Sequence, residues 1–184
     1  MGRPRGFDEA DVVRSAAKLF ATRSYDGTSV DDLVSHLGVH RNSLYKTFGS
    51  KRGLYLAALK WSLDHEVAGL AERVTAAGGH AEETHDILAD AVTGPALDLV
   101  LLAAVERAPV DAEVARLVGE AFTALDRAVG AADRAAGNGD GDATATPVAA
   151  TALLIGLRAR SRSGTTDAGT LRADAALARL LGRP

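Results

Sequence analysis

The stretch TSVDDLVSHLGVHRNSLYKTFGSKRGL, residues 28 to 54, sets two short amphipathic patterns on either side of one glycine. Val30, Leu33, Val34 and Leu37 fall at i, i+3, i+4 and i+7, the spacing of one buried helix face. Ser29 stands where an N-cap is wanted, and Asp32 three residues later gives a variant of the capping box. Gly38 ends the helix, because a tight turn after it wants a left-handed residue. From Arg41 to Phe48 a second pattern points Leu44 and Phe48 inward and fills its other positions with Arg, Asn, Ser, Tyr and Lys. The chain is thus committed here to helix, turn, helix, and it places its most polar side chains on the second, very short helix.

The flanking sequence is helical as well. Phe7 to Arg23 carries Val12, Val13, Ala16, Ala17, Leu19 and Phe20 on one face, with Asp8, Glu9 and Asp11 at its positive N-terminal end. After Gly49 and Ser50, Leu56, Leu59, Leu63, Val67, Leu70 and Val74 predict one helix from Lys51 to about Ala77, roughly 40 Å long at 1.5 Å per residue. Further helices are expected over 84–93, from Pro95 to Pro109, over 111–136, over 148–160 and over 170–181, with a loop at 137–147, GNGDGDATATP. No run resembles a β-strand, so the fold class is all-α. The run VAATALLIGL is apolar on most sides, and such a helix must be buried on most sides. A second copy of the chain, meeting the first within residues 148–181, is the expected cover.

Composition narrows the chemistry. The chain has no cysteine, which excludes disulfides, thiolate metal sites and thiol redox switching. Its histidines, His36, His40, His65, His80 and His85, form no HExxH pattern, and neither a GxSxG elbow nor a GxxxxGK phosphate loop occurs. Catalysis, a metal and a cofactor are therefore not expected. No segment approaches the ~20 apolar residues of a membrane span, and no signal-peptide run follows the N-terminus, so a cytoplasmic location is expected. The net charge of −3 hides an asymmetry: residues 1–60 hold ten Lys or Arg against six Asp or Glu, and residues 61–184 hold eleven against eighteen. A basic first third suggests that this part alone meets a polyanion.

TSVDDLVSHLGV followed by RNSLYKTFGSKRGL resembles the DNA-binding motif of the tetracycline-repressor (TetR) family of regulators, and the resemblance begins at GRPRGFDEADVVRSAAKLF. The phenylalanine ending the first helix, the TSV cap, the GV turn, the LYKTF helix and the FGSK junction occur in family order. VERAPVDAEVARLV and LLIGLRARSRSG resemble the C-terminal domains of one branch of the family, which bind effectors and form homodimers. The resemblance implies an N-terminal three-helix helix-turn-helix DNA-binding domain over residues 6–66 and a helical bundle for effector binding and dimerisation over residues 67–184. Two positions depart from the pattern. Ser24 replaces the glycine common after the first helix, so a strained or reshaped turn is expected there. His40 replaces the usual Ser or Thr cap of the second helix, and imidazole caps poorly.

On this resemblance the second helix enters the major groove of double-stranded DNA, with Arg41, Asn42, Ser43 and Lys46 as base readers and His40 adding a base or phosphate contact. Thr28, Ser29, Tyr45 and Lys51 match positions that touch phosphates, and Arg3 and Arg5 form an arm suited to the minor groove. A twofold dimer bound to a palindromic operator and released by a small-molecule effector follows, acting as a repressor. An activator or an architectural DNA-binding protein of the same fold is the alternative. Trp61, His65, His85, Asp98 and Glu106 are the candidate effector contacts, being polar or aromatic residues near apolar faces between residues 51 and 136.

Overall fold

The computed structural model describes residues 8–137 and 145–164. Among these residues every regular element is helical: α1 (Glu9–Arg23), α2 (Val30–Leu37), α3 (Arg41–Phe48), α4 (Lys51–Ser62), α5 (Ala68–Ala76), α6 (Ala81–Thr93), α7 (Asp98–Leu102), α8 (Ala112–Ala135) and α9 (Ala145–Arg162). No single helix among them is long and apolar enough to cross a membrane. The expected single helix from Lys51 is interrupted by a π-helical turn at Leu63–Val67 before α5. A second π turn, Ala103–Arg107, extends α7. The expected loop at 137–147 is shorter at its far end, since α9 begins at Ala145. Pro147 sits buried in its first turn, where a missing N–H costs no helical hydrogen bond. The helix expected over 170–181 and the arm with Arg3 and Arg5 lie outside the described residues.

The described chain divides into two compact units, each with its own core. One contains the residues up to Asp64 together with Asp98–Val118. Here α1 packs on α2, α4 and α7, and α3 packs on α2 and α4. Ala16, Phe20, Leu33, Leu44, Leu54, Leu59, Val100 and Ala103 are wholly buried in it. Phe20 and Tyr55 meet edge to face with ring centroids 5.1 Å apart, and Tyr25 meets Tyr55 at 4.9 Å, a geometry that aromatic quadrupoles favour.

The capping box and the glycine stop of α2 are the expected ones, and two aspartates not read as caps from the sequence close the starts of α1 and α8. Asp8 caps α1, accepting from Ala10 N at 2.8 Å and Asp11 N at 3.3 Å. Ser29 and Asp32 form the reciprocal capping box of α2. Gly38 ends α2 with φ 64° and ψ 25°, the left-handed conformation that a Cβ disfavours. Asp111 caps α8 through Glu113 N at 3.2 Å and Val114 N at 3.4 Å. The same carboxylate grips Arg52 of α4 in bidentate fashion at 2.7 and 2.8 Å. That guanidinium, ahead of a smaller opposing effect of desolvation, holds the Asp111 carboxyl down at about 2.

The other unit contains His65–Leu97 and the described residues from Gly119 onward. Its α6 packs on α5 and α9 around Leu70, Val74, Leu88, Val92, Leu154 and Leu157. Arg158 of α9 is buried and donates to the carbonyls of Val92 and Thr93 at 3.0 and 2.9 Å. Those carbonyls close α6, so the charge satisfies acceptors that a helix C-terminus leaves without intrahelical donors. On α9, Ala150, Thr151, Leu154 and Leu157 face the core, while Val148, Ala149, Ala152 and Gly156 are exposed. The helix is therefore buried along one side within its own chain, and its small apolar residues line the other.

Candidate nucleic-acid interface

The short helix α3 is anchored by one residue. Leu44 is wholly buried and Phe48 half-buried, which turns Arg41, Asn42, Tyr45 and Lys46 outward as two adjacent i, i+4 rows. Ser43 lies half-buried beside them. His40 is exposed at the N-cap position and makes no capping bond with its side chain, while its carbonyl accepts from Ser43 N and Leu44 N. The start of α3 thus lacks the side-chain acceptor that a serine cap would supply. The Arg41 guanidinium is paired with the Asp31 carboxylate on the first turn of α2. This partner ten residues upstream has no periodic signature in the sequence.

The phosphate-contact candidates differ from one another. Ser29 is exposed, but its hydroxyl and N–H are both bonded to the Asp32 carboxylate. The Ser29 hydroxyl, then its N–H, then Arg23 hold that carboxyl below its usual range. Thr28 does not present a hydroxyl at the surface: its side chain is fully buried and Oγ1 donates to the Ser24 carbonyl at 2.6 Å. It serves the turn before α2. Tyr45 is 37% exposed on the outward face of α3. Lys51, at the start of α4, has its Nζ 4.0 Å from the centroid of the Tyr25 ring. A cation over a tyrosine face is held electrostatically yet keeps N–H donors for another acceptor.

The turn joining α1 to α2 is unusual. Ser24 has φ 65° and ψ 173°, the one non-glycine residue with positive φ among the described residues. That region is almost reserved for glycine and costs a side chain about 1–3 kcal/mol. The turn reshaping expected from serine at this position takes the form of a glycine-like backbone kept in place by outside bonds. Glu106, in the π turn after α7, supplies them: its carboxylate accepts from Ser24 Oγ at 2.9 Å, Tyr25 N at 2.9 Å and Asp26 N at 2.8 Å. Partial burial raises the Glu106 carboxyl, but these donors and Arg107 outweigh it and bring the group below its ordinary value. Arg107 lies 4.5 Å from the Tyr25 ring centroid and 4.0 Å from the Asp26 carboxylate. Gly27 completes the turn, since a Cβ there would sit 2.1 Å from the Arg23 carbonyl oxygen.

The five candidate effector contacts are dispersed. Trp61 is half-buried on α4, Asp98 is buried at the start of α7, and Glu106 is engaged with the α1–α2 turn. In the second unit His65 is exposed in its π turn, and His85 is half-buried on α6 with Nδ1 3.3 Å from the Asp86 carboxylate. That unit also holds an open groove of about 500 Å³ lined by Ala71, Glu72, Thr75, Ala76, Ala124, Arg127 and Ala128. None of the five candidates lines it.

Residues 12–58, spanning most of α1 to α4, match the sequence model of the bacterial regulatory proteins, tetR family. The chain is 39% identical over 122 residues to YezE of Bacillus subtilis (strain 168), an uncharacterized HTH-type transcriptional regulator, covering 63% of each. It is 37% identical over 71 residues to the HTH-type transcriptional repressor BdcR of Escherichia coli (strain K12), covering 39% of this chain and 36% of BdcR. The chain thus spans less than two thirds of the length of these curated relatives. Its structure is similar to that of the TetR family transcriptional regulator CifR, solved as a cysteine mutant with 26-bp double-strand operator DNA. The TM-score is 0.80 at 26% identity, covering 98% of both chains. The fold also follows a TetR family regulator from Cytophaga hutchinsonii, with a TM-score of 0.79 at 19% identity over 94% of this chain and 92% of the other. With a matched helix-turn-helix whose polar face points outward, residues 12–58 form an N-terminal domain of the tetR-family type, and the fold of the chain is similar to that of TetR family regulators.

Proposed function

We propose that the chain is a sequence-specific DNA-binding repressor of transcription that works in the cytoplasm as a homodimer and is released from a palindromic operator by a small-molecule effector. The observation that carries this reading is the outward face of α3, where Arg41, Asn42, Tyr45 and Lys46 stand exposed around a single buried leucine. Arg41 matches guanine O6 and N7 in bidentate fashion and Asn42 matches adenine, each such contact worth ~1–3 kcal/mol of discrimination. Ser43 and His40 add polar groups at the start of the helix. Ser29 and Lys51 suit the DNA backbone and set register, and Arg3 and Arg5 suit the minor groove. Support from relatives is of the same kind, since BdcR is a repressor and CifR was solved on operator DNA.

One short helix offers few base contacts, so two copies act together, about 34–36 Å apart along the duplex. The exposed Val148, Ala152 and Gly156 of α9 support a contact between copies, as small apolar residues allow helices to approach closely. Residues 6–66 read DNA, and residues 67–184 carry dimerisation and effector binding. The effector must bind one arrangement of the two reading heads better than the other, because equal affinity shifts nothing. The groove between α5 and α8, together with His65 and His85 of the same unit, is where such a ligand is sought first.

The test is selection of bound duplexes from a random pool, followed by titration of the winner. A palindromic consensus is expected, with loss of preference in Arg41→Ala and weaker, less salt-dependent binding in Lys46→Ala. Equal affinity for selected and random duplexes would favour an architectural protein. No retention of DNA at moderate salt would end the reading.

A further inference from the structure

Glu106 stands eighty residues from the turn it touches, on a segment that no helix-turn-helix motif includes. Its two carboxylate oxygens take three donors from consecutive residues, Ser24, Tyr25 and Asp26. Arg107 beside it reaches the ring of Tyr25 and the carboxylate of Asp26. This pair therefore grips the whole turn, by backbone, hydroxyl, ring and charge.

What the turn controls lies on both sides of it. The Ser24 carbonyl accepts from Thr28 Oγ1 at 2.6 Å and the Tyr25 carbonyl from Thr28 N at 3.2 Å, which fixes the entry into the Ser29 cap of α2. The Tyr25 ring carries Lys51 at 4.0 Å, at the first residue of α4. The turn itself has a backbone conformation that serine does not hold unaided. Without outside bonds, Ser24 relaxes toward negative φ, and both the start of α2 and the support beneath Lys51 move.

We propose that Glu106 is a positioning residue for DNA binding: by holding Ser24 in its glycine-like conformation, it fixes where α2 and Lys51 meet the DNA backbone. This rests on the DNA-binding reading above. Glu106 touches no DNA in this scheme and acts through the turn. The reasoning also says why the residue is needed here. A glycine at position 24 adopts positive φ freely, whereas serine requires the clamp. The role of Glu106 should thus depend on the identity of residue 24, which no general contribution to packing would reproduce.

The experiment is a double-mutant cycle on the full chain with Glu106→Gln, Ser24→Gly and both together. Gln keeps the size but replaces an acceptor oxygen with a donor that faces N–H groups. Binding is read by fluorescence anisotropy to the duplex that the wild type selects from a random pool, and to a random duplex of equal length. E106Q is expected to weaken binding to the selected duplex about tenfold, a step of 1.4 kcal/mol, and binding to the random duplex by less than about twofold. S24G alone is expected to bind like wild type, and the double variant to return within about twofold of S24G. Circular dichroism establishes that each protein is folded. If E106Q is not, the comparison of the double variant with S24G decides: a tenfold deficit there overturns the proposal, and equality supports it. Wild-type affinity in folded E106Q, or a double variant as weak as E106Q, also overturns it while leaving the DNA-binding reading intact. A wild type that selects no sequence overturns both.

Discussion

Asp111→Asn separates two things that one carboxylate does. Asp111 is buried at the start of α8, where it accepts from two backbone N–H groups, and it holds the Arg52 guanidinium in a bidentate grip. Asparagine keeps a capping oxygen and loses the charge. The downward shift from 3.8 to about 2 corresponds to about 2.4 kcal/mol by linkage. Because the Arg52 side chain is 49% exposed, screening lowers this, and we expect about 1–1.5 kcal/mol lost in D111N at neutral pH. Asp111→Ala, which also removes the cap, should lose about 1 kcal/mol more. The sign of the pH dependence follows from the depressed value. The contribution is complete above the unfolded value of 3.8 and is lost as pH falls through about 2. The stability gap between wild type and D111N should therefore be flat from neutral pH to about 5 and shrink to roughly half by pH 3. Urea unfolding followed by circular dichroism at several pH values measures it. A gap absent at pH 7, or unchanged at pH 3, would refute the reasoning.

Three further outcomes are expected. Asp31→Ala frees Arg41 from its partner and removes a negative charge beside the outward face of α3, so on the proposed function affinity for random duplex should rise several-fold in a gel-shift titration, with loss of discrimination. Gly53→Ala places a Cβ 1.9 Å from the Phe48 carbonyl oxygen at the α3–α4 junction, and a fall in stability of more than about 2 kcal/mol should appear in thermal unfolding. Ala152→Arg puts a charge on the exposed side of α9; on the proposed pairing through this helix, sedimentation at micromolar protein should give a dimer for the wild type and a monomer for the variant, with affinity for the selected duplex lost alongside.

The parts of the fold that are local in sequence are legible in it. The Ser29–Asp32 box, the left-handed Gly38 and the inward Leu44 each depend on neighbours within four residues, where periodicity and capping rules apply. The outward face of α3 follows from the same spacing. What depends on distant residues is hidden. The departure at Ser24 is visible in the sequence, but the carboxylate that sustains it is eighty residues away and shares no pattern with it. The same distance explains why Glu106 reads as a polar residue near an apolar face and nothing more. Thr28 misleads for another reason: a threonine hydroxyl can serve a phosphate or its own backbone, and composition does not distinguish the two. The π turns at Leu63–Val67 and Ala103–Arg107 leave the hydrophobic spacing nearly intact, so a continuous helix is read across the first of them.

The unit that carries α3 owes part of its core to a stretch made much later. Val100 and Ala103 sit in the same core as Phe20, Leu33 and Leu44, and Asp98–Val118 belongs to that unit. A nascent chain that has emerged only as far as Asp64 lacks one wall of its own interior, so this head is complete only once the chain as far as Val118, about two thirds of these 184 residues, has left the ribosome. Anyone grafting it onto another domain has to transplant both pieces, because the leading segment alone brings the letters of the motif without the scaffold that spells them.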